Sequence, residues 1–258
     1  MIIAADIRNT YMTIGCIKDG KLQLVFTIST DVNKTQHEYA MTVKSILDFH
    51  AVGCSEFSGV IISSVGPRLT PVLREALRML TGKKALVLGA GVKTGLNILI
   101  DNPAQLGSDL VAGAVGALAQ YPTPMVIIDF CTATTFSVID ARSNYLGGSI
   151  APGLDISMKA LSSSASLLNQ ITLEAPKNAI CTNTEECMKS GVVYGMASMV
   201  DGMIDRIEKE LGENIKSIVA TGAFAGAIVP YCTKQITKDD YLTLKGLAAI
   251  YTKNKRVK

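Results

Sequence analysis

Residue types that commonly build metal sites are scarce in this chain of 258 residues. Its two histidines give no metal-binding pair, and its six cysteines show no C-x-x-C spacing. The sequence therefore predicts neither a histidine-based nor a cysteine-based metal site. We expect reduced and mostly buried thiols at the cysteine positions, which are Cys16, Cys54, Cys131, Cys181, Cys187 and Cys232.

Long apolar runs are also missing. The mean hydropathy is positive, but no run approaches the roughly 18 residues that a membrane-spanning helix needs. Met1 leads directly into an apolar, strand-like segment, and no signal-peptide pattern is present. We therefore predict a cytoplasmic protein that has no membrane partner.

Neither sign of charge is in large excess. The formal net charge is +3, and much of the positive excess lies in the C-terminal tail at Lys253, Lys255, Arg256 and Lys258. Such a tail is typical of a solvated chain end. The sequence therefore does not predict a nucleic-acid partner.

The composition is that of a compact globular protein with a substantial core. Hydrophobic residues make up 48% of the chain and charged residues 18%. A chain of this length can form one large domain or two domains of roughly 100 to 150 residues. A repeated motif favours two, which we place at residues 1–115 and 116–258.

That repeated motif is the most informative feature of the sequence. One apolar, β-prone run leads into Asp6, and a second such run leads into Asp129. A short polar turn and another strand-like run follow each aspartate. Two such hairpins can face one another across a cleft, where one carboxylate anchors a hydrated cation and both turns bind phosphate oxygens. The pattern favours a nucleotide-binding protein.

The remaining segments alternate between strand and helix patterns. Three strands joined by tight turns open each half, and later strands join in parallel, so the predicted fold class is α/β with mixed sheets flanked by helices. We predict strands at residues 2–7, 11–17, 22–29, 59–65, 85–89, 125–129, 134–140, 144–150 and 216–221. We predict helices at residues 37–50, 70–80, 103–120, 154–168, 185–212 and 242–251, with a short helix from Ala223.

Further motifs occur in one consistent order along nearly the whole chain. They are Asp6-Ile7-Arg8-Asn9-Thr10, Ser63-Ser64-Val65, Asp101-Asn102-Pro103, Gly107-Ser108-Asp109-Leu110, Asp129-Phe130-Cys131-Thr132-Ala133-Thr134-Thr135, Gly147-Gly148-Ser149-Ile150-Ala151-Pro152-Gly153, Asn183-Thr184, Ser190-Gly191-Val192-Val193-Tyr194-Gly195 and Thr221-Gly222. On these motifs the chain resembles the type III pantothenate kinases, within the superfamily of sugar kinases, heat-shock proteins and actin. The resemblance implies two similar ribonuclease-H-like domains of the actin and hexokinase type, with a nucleotide cleft between them.

The resemblance also implies an activity, which is ATP-dependent phosphorylation of pantothenate to 4′-phosphopantothenate, the first step of coenzyme A biosynthesis. It implies that Asp109 is the general base, that Asp6 holds Mg²⁺ through water, and that Asp129 lies in a site for K⁺ or NH₄⁺. The implied ATP and phosphate ligands are Asp6, Arg8, Asn9, Thr10, Thr132 and Thr134. The implied pantothenate ligands are Ile100, Gly107, Ser108, Leu110 and Thr184.

Each of three implied ligands has a structural alternative. Asp109 could cap its own helix, Asp129 could cap a turn, and Thr184 could be the N-cap of the helix that follows it.

Several positions depart from the family pattern. Three residues stand where the pattern has glycine, namely Arg8, Cys131 and Cys181, and Ala223 replaces the second glycine of a Thr-Gly-Gly motif. Ile100 replaces a tyrosine and Leu110 an arginine. A glycine in a phosphate loop lets the backbone approach its ligand. Arg8 could pair with a phosphate or fill the site with its own charge, and both remain open.

Two functions therefore remain open. One is an active pantothenate kinase, and the other is a catalytically degenerate pseudokinase or a partner subunit of a hetero-oligomeric pantothenate kinase. The helix at 185–212, rich in glycine and methionine, is either a core helix or a dimer helix. The partner would then be a second copy or an intact homologue.

Overall fold

The structure is a computed structural model that describes residues 1–164, 168 and 171–255. The chain divides into two compact units: the first consists of Met1–Leu96, Asp101–Ala119 and Leu242–Lys258, and the second of Asn97–Ile100 and Gln120–Tyr241. Residues 165–167 of one predicted helix and the tail residues Arg256 and Lys258 lie outside the described part. Among the described residues, no helix has the length and apolarity needed to cross a membrane.

A mixed sheet forms the centre of the first unit. Its five strands are β1 (Ile2–Ile7), β2 (Tyr11–Lys18), β3 (Lys21–Ser29), β4 (Gly59–Ser64) and β5 (Ala85–Val87). They lie in the order β3-β2-β1-β4-β5, with β1 antiparallel to β2 and parallel to β4. The central strand β1 is covered on both faces, which is why it is an almost continuous apolar run.

Helices α1 (Gln36–Phe49) and α2 (Thr70–Thr81) pack on one face of this sheet and form a core with it. A capping box starts α1: the Thr35 hydroxyl accepts a bond from the Glu38 N–H, and the Glu38 carboxylate accepts one from the Thr35 N–H. Helix α2 ends at Gly82, which adopts the left-handed conformation that favours glycine.

Helices α3 (Ser108–Leu118) and α7 (Leu242–Lys255) pack against each other and against β4 and β1. Their backbones approach closely at two glycines. A Cβ atom on Gly246 would clash with the carbonyl oxygen of Ala112, and one on Gly116 would clash with the carbonyl oxygen of Leu242. Glycine is therefore required where these helices cross.

The second unit repeats the arrangement of the first around another sheet. Its six strands are β6 (Asn97–Ile98), β7 (Met125–Phe130), β8 (Ala133–Ile139), β9 (Asn144–Pro152), β10 (Ser217–Thr221) and β11 (Thr237–Lys238). They lie in the order β11-β10-β7-β8-β9-β6. The central strand β7 is antiparallel to β8 and parallel to β10, just as β1 is to its neighbours.

The α-helices that the structure describes in this unit are α4 (Leu154–Ser164), α5 (Thr184–Leu211) and α6 (Ala225–Ile228). Helix α5 is 28 residues long and ends at Gly212 in the left-handed conformation. It packs its buried residues on the sheet at helical spacing, through Val192, Met196, Val200 and Ile204.

The predicted α/β class with two mixed sheets is confirmed, and most predicted elements lie within two residues of their observed bounds. The helix predicted at 103–120 starts only at Ser108, after a separate 3₁₀ turn at Pro103–Gln105 that Asn102 caps. The strands β6 and β11 were not predicted, because two residues are too few to carry a periodic pattern.

Two expectations need correction. The boundary between residues 115 and 116 assigned the last helix to the C-terminal half, but α7 packs on α3 and β1 and so belongs to the first unit. The thiols are free, as expected, but they are not mostly buried: of the six, only Cys16 is buried, and Cys187 is exposed.

Candidate functional site

The first unit carries a candidate site around Asp6, next to last in β1. Asp6 is 4% exposed. In the register of the sheet it lies beside Thr13 of β2 and Ser63 of β4. The β1 turn, which we define as Arg8, Asn9 and Thr10, follows at the same edge. Asn9 and Thr10 are exposed there, so their side chains are available to a ligand.

The guanidinium of Arg8 bends back onto the carboxylate of Asp6. Its Nε donates to Oδ2 of Asp6 at 2.6 Å, and Nη2 donates to the hydroxyl of Thr243 at 3.3 Å. Thr243 lies in the first turn of α7. The guanidinium therefore neutralises the carboxylate of Asp6, and the role of Arg8 as a phosphate ligand stays a prediction.

Helix α3 brings the predicted base to the same edge of the sheet. The hydroxyl of Ser108 bonds with the hydroxyl of Ser63 at 3.0 Å, accepts from the Ser64 N–H at 3.0 Å and donates to the Ser64 carbonyl at 3.1 Å. Ser63 lies beside Asp6 in the sheet. These bonds hold the start of α3, with Asp109 in its first turn, at the carboxyl end of β4.

Asp109 is half-buried, and its Oδ1 lies within 2.5 Å of where a Cβ on Gly107 would be. An acidic group in the first turn also interacts favourably with the helix dipole. Its position is therefore compatible with both the general-base role and the capping role that the sequence left open. Leu110, the next residue, is half-buried.

The second unit presents a matching site around Asp129, next to last in β7 and 6% exposed. Asp129 lies beside Thr135 of β8 and Thr221 of β10 in the register of the sheet. Gly222 follows with φ of 95°, and a Cβ there would press on Oδ1 of Asp129. The Thr221-Gly222 turn therefore closes over this carboxylate, and only glycine fits there.

The β7 turn consists of Cys131 and Thr132, both half-buried. The Cys131 N–H donates to the carbonyl of Ala133 at 3.1 Å, and the Thr132 carbonyl accepts from the Gly153 N–H at 3.2 Å. The second bond joins the turn to the residue just before α4. Thr132 is thus positioned at the edge of the sheet beyond Asp129.

A model of the type III pantothenate kinase family matches residues 2–206. The chain belongs to this family. The type III pantothenate kinase of Brevibacillus brevis is 39% identical over 254 residues, covering 98% of this chain and 99% of that protein. The type III pantothenate kinase of an Exiguobacterium species is 39% identical over 256 residues, covering 99% of this chain and 100% of that protein.

Solved structures agree on the fold at lower sequence identity. Component A of (R)-2-hydroxyglutaryl-CoA dehydratase from Acidaminococcus fermentans has a TM-score of 0.57 at 15% identity, covering 100% of this chain and 99% of that one. The polyphosphate/ATP-glucomannokinase of an Arthrobacter species has a TM-score of 0.50 at 13% identity, covering 99% and 98%. At such identities the likeness concerns the fold alone.

One implied phosphate ligand of this family member is placed differently. The hydroxyl of Thr134 is fully buried and points to the α5 side of the sheet, where it donates to the sulfur of Met196 at 4.0 Å. A phosphate cannot reach that hydroxyl. The expectation that the Thr134 side chain donates to phosphate is therefore corrected, because the strand alternation turns its neighbour Thr135 to the Asp129 side instead.

Two implied substrate ligands lie in the second unit. Ile100 is half-buried near Gly147 of β9. Thr184 is exposed and is the first residue of α5, whereas the cap of that helix is Asn183, whose side chain accepts from the Glu186 N–H at 3.0 Å. The alternative role of Thr184 as an N-cap is thus wrong, and its side chain is available.

No role was predicted from the sequence for Ser63, Thr221 or Thr243. Ser63 and Thr221 each lie in a family motif at the end of a predicted strand. That position could have indicated a place in the site. Thr243 had no signal. It lies 235 residues from Arg8 along the chain, and only the packing of α7 brings the two together.

Asp6 is the kind of residue that can hold Mg²⁺ through water, but in the structure its carboxylate is paired with Arg8. Oδ1 of Asp6 is buried and has no hydrogen-bond partner among the described residues, while Oδ2 is held by Arg8. The described part of the chain has no group of three or more His, Cys, Asp or Glu that could enclose a metal ion. Mg²⁺ is commonly bound by one or two carboxylates together with phosphates, so a single aspartate suffices.

Proposed function

We propose that this chain is a pantothenate kinase that transfers a phosphoryl group from ATP to pantothenate and yields 4′-phosphopantothenate. Membership of the family over residues 2–206 supports the reaction class. The observation that carries the proposal is the Ser63–Ser108 bond, which holds Asp6 and Asp109 at one edge of the first sheet. A phosphoryl-transfer site needs these two elements, a cation anchor and a base, close together.

In this proposal, Asp109 accepts the proton of the substrate's primary hydroxyl as that oxygen attacks the terminal phosphorus. A general base must lie within about 3 Å of the proton donor, and its help is typically worth about 10² to 10⁴-fold in rate. The first turn of α3 sets the direction of the carboxylate. Ser108 acts through its bonds to β4 and is therefore a positioning residue.

The phosphate oxygens would be bound by the exposed side chains of Asn9 and Thr10 in the β1 turn and by Thr132 in the β7 turn. Bound Mg²⁺ would neutralise part of the phosphate charge, and Asp6 is the residue that would hold it through water. Asp129 would belong to a site for K⁺ or NH₄⁺, since a buried carboxylate is stabilised by a nearby cation.

The substrate pocket would use the half-buried Ile100, Gly107 and Leu110 together with the exposed Thr184. Ile100 and Leu110 contribute apolar contact but no polar one. Recognition of the carboxylate and hydroxyl groups of pantothenate would then depend on backbone groups and on Thr184. We expect weaker ground-state binding of substrate than a pocket with charge-assisted bonds would give.

A homodimer, or a heteromer with an intact homologue, is part of the proposal. It is supported by a row of small exposed residues on α5, which are Gly191, Gly195 and Ser198. Small residues let a second helix approach closely. Sedimentation velocity of the purified chain tests this, and the cytoplasmic location stays a prediction.

The decisive experiment is coupled ATP turnover with pantothenate by the purified chain, before and after Asp109→Asn. We expect kcat to fall by about 10² to 10⁴-fold, because the amide cannot accept the proton. KM should change little, since the amide has nearly the same shape. The matched control is Asp48→Asn on α1, an exposed aspartate paired with Lys44, which should leave turnover unchanged.

Turnover of the unmodified chain that does not exceed that of Asp109→Asn would contradict the proposal for the isolated chain. The chain would then be a degenerate pseudokinase or a subunit that needs a partner. Adding an intact homologue separates these two outcomes: recovered turnover that depends on both chains identifies a partner subunit.

A further inference from the structure

The ion pair between Asp6 and Arg8 is almost closed to solvent. Nε of Arg8 lies 2.6 Å from Oδ2 of Asp6, and the two side chains are 16% and 5% exposed, respectively. Charges that are withdrawn from water in this way interact more strongly than an exposed pair. The arginine is therefore the resident cation of the buried carboxylate.

Both the side chain and the backbone of Arg8 are held in place. Nη2 donates to the hydroxyl of Thr243 on α7, the backbone N–H donates to the Tyr11 carbonyl at 3.0 Å, and the Arg8 carbonyl accepts from the Thr30 hydroxyl at 2.8 Å. These contacts join the turn to β2, to the residue that follows β3 and to α7. Moving the guanidinium off Asp6 would break at least one of them.

Neither oxygen of Asp6 can meet a hydrated cation while Arg8 stays where it is. Oδ2 accepts from Nε of Arg8, and Oδ1 is buried, so the waters around a cation cannot reach it. Mg²⁺ gives up its water shell reluctantly and would need an oxygen that its bound waters can reach. It would also be repelled by a guanidinium a few ångströms away.

We propose that Arg8 and a hydrated divalent cation exclude one another at Asp6, so that the nucleotide-free chain does not bind Mg²⁺ there. Arg8 thereby determines the cation binding of this turn. The inference rests on the proposed function only in taking Asp6 as the metal anchor. If Asp6 anchors the metal during catalysis, the metal can reach the carboxylate only after the guanidinium of Arg8 has moved away from it.

The probe is Mn²⁺ alone, which stands in for Mg²⁺ and is counted by electron paramagnetic resonance in the absence of nucleotide and pantothenate. The full-length chain is compared with Arg8→Ala. We expect Mn²⁺ to bind Arg8→Ala at least about tenfold more tightly than the unmodified chain, because removing the arginine leaves a buried carboxylate uncompensated. The double variant Asp6→Asn with Arg8→Ala should bind Mn²⁺ no more tightly than the unmodified chain.

Arg142→Ala is the matched control, because it removes one exposed arginine from a turn of the second unit. It should bind Mn²⁺ like the unmodified chain. Equal Mn²⁺ affinity in Arg8→Ala and the unmodified chain overturns the inference, and so does a gain that survives Asp6→Asn. If Arg8→Ala does not fold, Arg8→Gln serves the same test, since its amide keeps a polar contact without the charge.

A thermal readout supplies the second measurement. Added Mg²⁺ should raise the melting temperature of Arg8→Ala and leave that of the unmodified chain unchanged, because a ligand stabilises only a state that binds it. Neither readout needs turnover. A chain without kinase activity would contradict the proposed function but not this inference. Equal Mn²⁺ affinity of Arg8→Ala and the unmodified chain would contradict this inference but not the proposed function.

Discussion

The two units have the same arrangement of residues at the end of the central strand, but the charges in the turn that follows differ. In each, a central strand carries a buried aspartate, an antiparallel neighbour supplies a threonine beside it, and a parallel neighbour supplies a hydroxyl residue. The residues are Asp6, Thr13 and Ser63 in the first unit and Asp129, Thr135 and Thr221 in the second. The repeat seen in the sequence is therefore a repeat of three-strand geometry as well.

The difference lies two residues beyond each aspartate. The first unit has Arg8, which pairs with its aspartate, and the second has the uncharged Cys131. Equivalent backbones thus hold one carboxylate that is neutralised from its own turn and one whose turn supplies no cation.

The largest expected difference between the units concerns two thiols. Burial raises the pKa of Cys16 in the first unit to about 12, whereas Cys187 in the second is exposed. The thiolate is the reactive form and burial also shields Cys16 from the reagent, so we expect Cys187 to react with a maleimide at least about 10²-fold faster near pH 8. Timed labelling with peptide mass spectrometry measures both rates. Rapid labelling of Cys16 in the folded chain would contradict this, and in urea the two should react alike.

The second prediction compares the turns themselves. Arg8→Ala should lower the free energy of unfolding by about 3 kcal/mol, because it leaves the buried charge of Asp6 without its cation. Cys131→Ala removes no charge and should cost about 1 kcal/mol or less. Urea denaturation measures both. Adding Asp6→Asn to Arg8→Ala should recover part of the loss, and equal effects of the two single variants would argue against an ion pair specific to the first unit.

The third prediction compares glycines on helices of the two units. Gly246→Ala forces α7 away from the Ala112 carbonyl on α3 and should cost about 1 to 3 kcal/mol. Gly202→Ala on α5 meets open space and should stabilise the chain by about 0.4 to 1 kcal/mol, because alanine restricts the unfolded chain. Calorimetric melting measures whether each variant raises or lowers the stability of the chain. A stabilising Gly246→Ala would mean that the helices do not cross so closely.

The smallest expected effect concerns the helix caps Thr35 and Asn183. Replacing either with alanine should cost about 1 kcal/mol near neutral pH. Only the first cap should depend on pH. Its partner Glu38 accepts bonds from the Thr35 N–H and hydroxyl, which hold the pKa of that carboxyl below its usual value.

A group with a lowered pKa stabilises the fold above its unfolded pKa, and that stabilisation is lost as the pH falls through the folded pKa. The effect of Thr35→Ala on unfolding should therefore shrink in acid, and that of Asn183→Ala should not. Urea denaturation at a series of pH values measures the difference. Parallel pH profiles for the two variants would contradict the bond from the Thr35 hydroxyl to the Glu38 carboxylate.

Much of the fold followed from local patterns. Apolar runs ending in aspartate, tight turns and the alternation of strand with helix predicted the α/β class and both hairpins. The face occupied by each threonine of β8 did not follow, because Thr134 and Thr135 are both polar and the strand is covered on both sides. Which of them meets the core depends on its strand partners and on α5.

The sequence by itself determined the family, the repeated aspartates and the order of the strands along the chain, because these reside in short segments whose periods and turns are local properties. Tertiary structure alone decided that α7 joins the first unit, that Ser108 ties Asp109 to the strand end of Asp6, and that Arg8 turns onto Asp6. Each of these depends on contacts between residues far apart in the chain. Such contacts form only when whole helices and strands pack together, so they cannot be predicted from local sequence propensity.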